Sequence, residues 1–160
     1  MEADCLGGFS FGLRGNTGGP VNEKLAQEIL KKTAKGVPFI LQWEIAGYID
    51  PQKAVIAKVI KKHRIEGEYL DTYEVASQAY GIMKKNGWKT YLLAAHYDHY
   101  FRCAKVMKRL ASRPSGVITV NYYDILSTQF WTKHPLLFRP YNRLASFIYK
   151  KRGWIDDANS

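Results

Sequence analysis

The chain has 160 residues, of which 46% are hydrophobic and 24% charged, and its net charge is +10. These values are typical of one globular domain and exclude a disordered chain or a collagen-like repeat. Two cysteines are too few for a disulfide framework, and no run approaches the ~18 apolar residues of a membrane-spanning helix. We therefore expect a single cytoplasmic domain over residues 1–160, with no transmembrane segment.

The positive charge is concentrated in the second half of the chain. Residues 1–80 contain ten Lys or Arg and ten Asp or Glu, whereas residues 81–160 contain fourteen and four. Such asymmetry favours an anionic partner: a nucleotide, a nucleic acid or a membrane surface. A solvated basic face is the alternative interpretation.

The first forty residues predict a strand, a loop, a helix and a second strand. A short apolar start ends at Gly8 and opens a glycine-rich loop that reaches Pro20. Apolar residues at helical spacing predict a helix over 22–35. The run 37–43 has no polar alternation, which is typical of a strand buried on both faces.

The middle of the chain predicts two helices. Asp50-Pro51 is a helix-start signal, and the apolar residues after it predict a helix that runs to about Arg64. Asp71-Thr72-Tyr73-Glu74 has the spacing of a capping box, and the helix that it begins ends before Gly87.

The second half continues the alternation of strands and helices. We predict strands over 90–95 and 116–120, with helices over 99–111 and 140–151. Strands that alternate with helices predict an α/β fold with a mainly parallel sheet and helices on both faces. In such folds ligands bind beyond the carboxyl ends of the strands, so the residues there are the candidates for a site.

A glycine-rich turn after the first strand is the first candidate. Six of the 13 glycines lie within residues 7–19, and glycines let backbone N–H groups approach an anion. We therefore expect Gly7, Gly8 and Ser10 to contact a ligand. The turn lacks both the dinucleotide and the P-loop fingerprints, and a flexible surface loop is the alternative.

A second candidate follows the predicted strand over 90–95. His96 and His99 flank Asp98, and Arg102 lies three residues beyond His99, on the same helix face. This set suits an anion held at a helix N-terminus. Metal binding by the histidines and the aspartate, or purely structural histidines, are the alternatives.

Acidic and hydroxyl residues complete the predicted site. Glu44 ends a buried strand, where a carboxyl group is unexpected unless it faces a cleft. Asp71 and Thr72 begin a helix, and Glu74 either orients a catalytic His99 or only completes the capping box. Ser10, Cys5 and Cys103 lie in no recognised nucleophile motif, which disfavours a hydrolase triad.

The aromatic and basic residues of the region 122–143 also permit stacking on nucleic-acid bases. No nucleic-acid-binding module signature accompanies them, so nucleic acid is an improbable partner. The alternative is that they cover an edge of the sheet.

Together these segments resemble the SanA–ElyC–YdcF-like family of bacterial proteins. The similar segments are Leu6-Gly7-Gly8, Asp71-Thr72-Tyr73-Glu74, residues 88–95 followed by His99-x-x-Arg102, and the closing stretch 144–154. The resemblance implies a Rossmann-like three-layer sandwich. It also implies S-adenosylmethionine or another nucleotide-like ligand, since one member is described as binding it, while other members are tied to the cell envelope.

Two functional hypotheses follow. In the first, the protein binds an anionic or nucleotide-like small molecule through the glycine-rich loop, Thr72, His99 and Arg102. In the second, it is a non-enzymatic interaction protein whose basic half docks an acidic partner or a membrane surface. Convergence of His99 and Arg102 on a pocket favours the first hypothesis.

Overall fold

A computed structural model describes residues 1–155, and residues 156–160 of the predicted domain lie outside the described residues. Five strands form one sheet in the order β3-β2-β1-β4-β5, and every neighbouring pair is parallel. The strands are β1 (Cys5–Gly8), β2 (Phe39–Gln42), β3 (Ile56–Ile60), β4 (Tyr91–His96) and β5 (Gly116–Val120). The parallel sheet confirms the predicted α/β class.

In the described part of the chain, five α-helices and one 3₁₀ turn accompany the sheet. The helices are α1 (Gly19–Lys32), α2 (Trp43–Ala46), α3 (Thr72–Asn86), α4 (Tyr97–Leu110) and α5 (Pro135–Lys151), and the 3₁₀ turn is Phe130–Thr132. Within residues 1–155, none of the helices combines the length and the apolar character needed to cross a lipid bilayer.

Alternate residues of the central strands face two separate cores. Leu6, Leu41 and Leu92 pack with α1 on one face of the sheet. Tyr91 and Leu93 pack with α3 and α4 on the other. Because β1, β2 and β4 are apolar at every second position on both sides, helices cover both faces, which gives the three-layer Rossmann-like sandwich.

The predicted helix over 51–64 is wrong, because this stretch contains the edge strand β3. Its apolar pairs, Val55-Ile56 and Val59-Ile60, lie four residues apart and therefore suit a helix as well as a strand. The β-branched side chains favour the extended conformation, and β2 offers a free edge for pairing. Asp50 caps a turn, not a helix, since its carboxylate accepts from the Gln52 amide at 2.9 Å.

Three helices begin earlier than the sequence predicts. The helix α1 starts at Gly19, so Asn22 is not its N-cap but a buried residue inside its first turn. The helix α4 starts at Tyr97 with His96 as its N-cap, and α5 starts at Pro135 and contains Pro140. Asn22 is retained inside the helix because its side chain bonds the preceding loop, where its Oδ1 accepts from the Phe11 amide at 2.9 Å.

The strand order places the crevice of the fold beside β1. The chain runs outward from β1 through β2 to β3, then returns to β4 on the other side of β1 and continues to β5. The winding therefore reverses between β1 and β4, and ligands in open α/β sheets bind beyond the carboxyl ends of the strands at such a point.

Candidate functional site

A cavity of about 800 Å³ lies beyond the carboxyl ends of the strands. Its floor consists of residues that follow β1 and β2 together with the first turns of α3 and α4, and its far wall is formed by the 3₁₀ turn and α5. The volume is in the usual range for small-molecule sites, about 300–1,000 Å³.

The structure brings six of the predicted site residues to this cavity and leaves four outside its lining. The six are Ser10, Glu44, Asp71, Thr72, His99 and Arg102. The four that do not line it are Gly7, Gly8, Glu74 and His96. The predicted common cleft therefore contains Thr72, His99 and Arg102 but not Gly8 or Glu74.

Arg102 is a buried cation without a partner. The residue is 7% exposed, and its Nε and Nη1 atoms have no hydrogen-bond partner among the described residues. Its guanidinium carbon lies 5.8 Å and 5.6 Å from the ring centroids of Tyr141 and Tyr149, within range for cation–π attraction. Aromatic faces offset only part of the desolvation, so the guanidinium keeps unused capacity to bind an anion.

His99 lies on α4 one turn before Arg102 and contacts α3. Its Nε2 is 3.1 Å from the Thr72 hydroxyl, while Phe11 and Phe138 lie near its ring. Burial lowers the pKa of His99 well below its usual value, and the charge of Arg102 lowers it further, against a weaker opposing effect of the Ser10 carbonyl. At neutral pH the imidazole is therefore uncharged, and a ligand beside Thr72 meets a neutral base.

Two carboxyl groups also line the cavity. Burial raises the pKa of Glu44, and its Oε2 has no hydrogen-bond partner within residues 1–155. Asp71 is the N-cap of α3, and its Oδ1 accepts from the Glu74 amide at 2.8 Å. The Asp71 carboxylate is therefore used to cap α3. The Glu44 carboxyl group favours the neutral form more than an exposed glutamate does.

His96 supports the structure beneath the cavity. Its ring is fully buried and stacks on Phe11 at 3.9 Å, and its Nδ1 accepts from the Asp98 amide at 3.2 Å. Burial lowers the pKa of His96 to about 4. These contacts agree with the structural interpretation of this histidine and place it outside the ligand's reach.

Glu74 is held by partners that face away from the cavity. Its carboxylate accepts from Arg64 Nε at 2.8 Å, Arg64 Nη2 at 3.0 Å and Gln78 Nε2 at 2.8 Å. Burial alone would raise its pKa, but the bonds from Arg64 and Gln78 outweigh burial and lower the pKa to about 2. Glu74 therefore neither orients His99 nor pairs with Arg102. Its hydrogen bonds with Arg64 hold the loop before α3 against that helix.

Gly8, at the end of β1, has a packing role. A Cβ on Gly8 would lie 2.6 Å from a methyl carbon of Leu41 and 3.3 Å from one of Ile45, so a larger residue would require these two side chains to shift. The amides of the loop that follows are used internally: Ser10 N–H bonds Gln42, Phe11 N–H bonds Asn22, and Leu13 N–H bonds Ser127. These amides are not available to cradle an anion.

Sequence reasoning missed the far wall of the cavity. Phe130, Trp131, Tyr141 and Tyr149 line it, and the indole of Trp131 stacks on the Tyr141 ring at 5.2 Å. The interleaved aromatic and basic residues of the region 122–143 indicate a cover over an edge of the sheet, and they do not by themselves predict the wall of a cavity. The signal that could have located the wall is the spacing of Tyr141, Leu144, Ile148 and Tyr149, which places all four on one face of a helix.

Within residues 1–155, no group of three or more His, Cys, Asp or Glu side chains is arranged to hold a metal ion. Asp98, which the metal interpretation would require, instead accepts hydrogen bonds from Tyr123 and Arg139.

Comparison with known proteins adds no family to this description. A scan of protein-family models finds none that matches the chain, and a search of curated proteins finds no significant relative.

Proposed function

We propose that this protein binds an anionic or nucleotide-like small molecule at the carboxyl edge of its sheet, with Arg102 as the anion-binding group. The observation that carries the proposal is the buried guanidinium of Arg102 in the cavity lining, whose Nε and Nη1 have no hydrogen-bond partner within residues 1–155. Buried polar groups in folded proteins are paired almost without exception, and an unpaired buried charge costs more than an unpaired neutral group. A bound anion supplies the missing partner.

The surrounding groups support an anion at this place. Thr72 begins α3, so its hydroxyl lies at the positive end of the helix dipole. His99 is neutral and therefore contributes no competing charge, and Glu44 is shifted toward its neutral form. Arg102 is the buried cation in the cavity lining, which also contains the exposed Lys61 and the Asp71 carboxylate that caps α3.

We also propose that the chain is a member of the SanA–ElyC–YdcF-like family. The segments 6–8, 71–74 and 99–102, which resemble motifs of that family, support this part of the proposal. S-adenosylmethionine, which that resemblance implies, carries a carboxylate and an ammonium group. Arg102 has the charge that matches the carboxylate, and Glu44 Oε2, which has no partner within residues 1–155, can accept a hydrogen bond from the ammonium group, whose positive charge favours the ionised form of Glu44. Arg102 would hold the carboxylate and Glu44 the ammonium group, and the bound group would supply an activated methyl.

Catalysis, where it occurs, would involve His99. The imidazole is uncharged at physiological pH and has a ring nitrogen free of a proton, but its lowered pKa makes it a weak base, and its Nε2 is oriented by the Thr72 hydroxyl at 3.1 Å. A cytoplasmic location also belongs to the proposal, and the two buried free thiols, Cys5 and Cys103, support it because such thiols persist in a reducing compartment.

The decisive experiment compares ligand binding by two charge-removing variants of the same helix. Inorganic phosphate, AMP and S-adenosylmethionine are titrated calorimetrically into the wild type, Arg102→Ala and Lys108→Ala, since Lys108 is exposed on α4 outside the cavity. A charge-assisted hydrogen bond contributes roughly 1.5–3 kcal/mol, so Arg102→Ala should weaken binding by about 10- to 150-fold. Lys108→Ala should leave affinity unchanged, and Arg102→Lys should restore part of it.

The second candidate function is docking of the basic half onto an acidic partner or a membrane surface. The observation that favours it is the exposed outer face of α5, where Leu136 and Phe147 lie among Arg139, Arg143 and Lys151. Binding to vesicles of an anionic phospholipid that is unchanged by Arg102→Ala, together with no Arg102-dependent binding of any small anion, would establish this function in place of the first.

A further inference from the structure

The far wall of the cavity is apolar and unusually exposed. Phe130 is 54% exposed, Trp131 48%, Leu144 59% and Ile148 41%, although all four line a concave surface. Large apolar side chains on a folded protein are normally exposed singly, and a contiguous set indicates a surface that something else covers. These four side chains line the same cavity as Arg102, whose Nε and Nη1 are unpaired among the described residues.

Two hydroxyl groups of the same wall are already bonded within the chain. The Tyr149 hydroxyl accepts from the Thr72 amide at 3.1 Å, and the Thr132 hydroxyl is bonded to the Gln129 carbonyl and the Ser127 hydroxyl, both at 2.8 Å. The side chains of Phe130, Leu144 and Ile148 offer no hydrogen bonds, so a ligand body with many donors and acceptors would lose water against them without recovering those bonds. An apolar body loses nothing of this kind and gains the burial of its surface.

We propose that the ligand is an amphipathic anion, whose charged group binds Arg102 and whose aryl or alkyl body lies against Phe130, Trp131 and Leu144. This inference rests on the proposed function, because it assumes that Arg102 binds the anion. It narrows the class of ligand from anions in general to phosphate monoesters and carboxylates that have an apolar body. Phe130 and Trp131 then determine specificity, whereas Arg102 supplies the charge.

A graded set of phosphates tests the proposal by calorimetry with the full chain. The probes are inorganic phosphate, glycerol 1-phosphate, AMP, 1-naphthyl phosphate and butyl and hexyl phosphate. Each buried methylene strengthens binding by about fourfold, so the affinity for hexyl phosphate should be at least about 10-fold higher than the affinity for butyl phosphate. 1-Naphthyl phosphate should bind more tightly than AMP, and glycerol 1-phosphate should bind no better than inorganic phosphate.

Two variants assign the two halves of the ligand to the two sides of the cavity. Trp131→Ala should reduce the affinity for 1-naphthyl phosphate by about 10-fold and leave the affinity for inorganic phosphate unchanged. Arg102→Ala should weaken every phosphate, and 1-naphthol, which lacks the charge, should bind the wild type and Arg102→Ala equally weakly. Phe147→Ala, on the outer face of α5 and outside the cavity lining, is the control for loss of an exposed aromatic side chain.

The outcomes separate the two proposals. Arg102-dependent binding of inorganic phosphate that an apolar body does not strengthen would overturn this inference and leave the proposed function intact. Tighter binding of AMP or S-adenosylmethionine than of 1-naphthyl phosphate would also overturn it. Binding of none of the anions in an Arg102-dependent manner would overturn both. Where the inference holds, Arg102-dependent binding to vesicles that contain phosphatidate identifies a lipid as the source of the anion, and its absence identifies a free ester.

Discussion

Two buried charged groups on neighbouring helices have opposite surroundings. Glu74, in the first turn of α3, is 4% exposed, and its carboxylate accepts hydrogen bonds from Arg64 and Gln78. Arg102, in the second turn of α4, is 7% exposed, and neither its Nε nor its Nη1 is bonded among the described residues. Both residues were sequence candidates for the same site, yet only one of them faces the cavity.

The difference shows how a structural charge differs from one held ready for a ligand. The partners of Glu74 compensate its desolvation within the chain, so its energy is already part of the folding free energy. Desolvation of Arg102 is offset only by two aromatic faces, so most of the compensation is left to another molecule. Burial alone therefore does not identify a functional residue; a buried charge is a stronger candidate when it lines a cavity and lacks a partner within the chain.

The largest expected effect is the loss of stability when Glu74 is removed. Glu74→Ala should lower the free energy of unfolding by about 2–3 kcal/mol at pH 7. That is less than the 3–5 kcal/mol typical of a fully buried pair, because Arg64 is largely exposed and can be rehydrated. Urea unfolding measures the loss, with the exposed Glu68→Ala as the control.

Acid should remove the same contribution from the wild type. The pKa of Glu74 is lowered in the folded protein, from 4.5 to about 2, so the unfolded chain takes up the proton first as the pH falls. The stabilisation is complete above about pH 4.5 and is lost as the pH falls toward 2. A Glu74→Ala deficit that is as large at pH 2 as at pH 7 would contradict this assignment.

A smaller effect is expected from His96, which is buried in its neutral form. Its pKa is lowered from 6.5 to about 4, so below pH 6.5 the unfolded chain binds a proton that the folded protein does not. Its contribution is therefore complete above about pH 6.5 and falls toward pH 4, by about 1–2 kcal/mol at pH 5. His96→Asn keeps a side-chain cap for α4 but cannot titrate, so its stability should change less between pH 7 and pH 5 than that of the wild type. Equal slopes for the two proteins would show that His96 is protonated in the folded state.

The sheet could be predicted from the sequence because its central strands are buried on both faces. The runs 37–43 and 90–95 are apolar apart from Gln42 and Thr90 and show no polar alternation, a pattern that is typical at this length of a strand between two helix layers. The edge strand β3 lacks this signal. Ala57 and Lys58 are both exposed, and the apolar residues that remain have a spacing that also fits a helix.

The candidate site was predictable where it depends on strand ends and not where it depends on tertiary partners. Ser10, Glu44, His99 and Arg102 follow from the rule that ligands bind beyond the carboxyl ends of the strands, whereas Thr72 follows from the family resemblance of residues 71–74. The partner of Glu74 was not predictable, since Arg64 lies ten residues away in a loop and no local motif links the two. The aromatic wall was missed for the same reason, because only the packing of α5 brings Phe130 and Trp131 over the floor.

The smallest expected effect, and the most direct test of the comparison, is the stability of Arg102→Met. Methionine keeps most of the apolar length of the side chain and removes the unpaired charge. Replacing a buried charge by an apolar group of similar volume is often neutral or stabilising, so the free energy of unfolding should change by less than about 1 kcal/mol or rise. Thermal and urea unfolding without added anions measure it, beside Glu74→Ala. A loss of about 2 kcal/mol or more would mean that Arg102 is compensated within the fold as Glu74 is. In that case the cavity would lack the uncompensated positive charge on which the proposed anion binding depends.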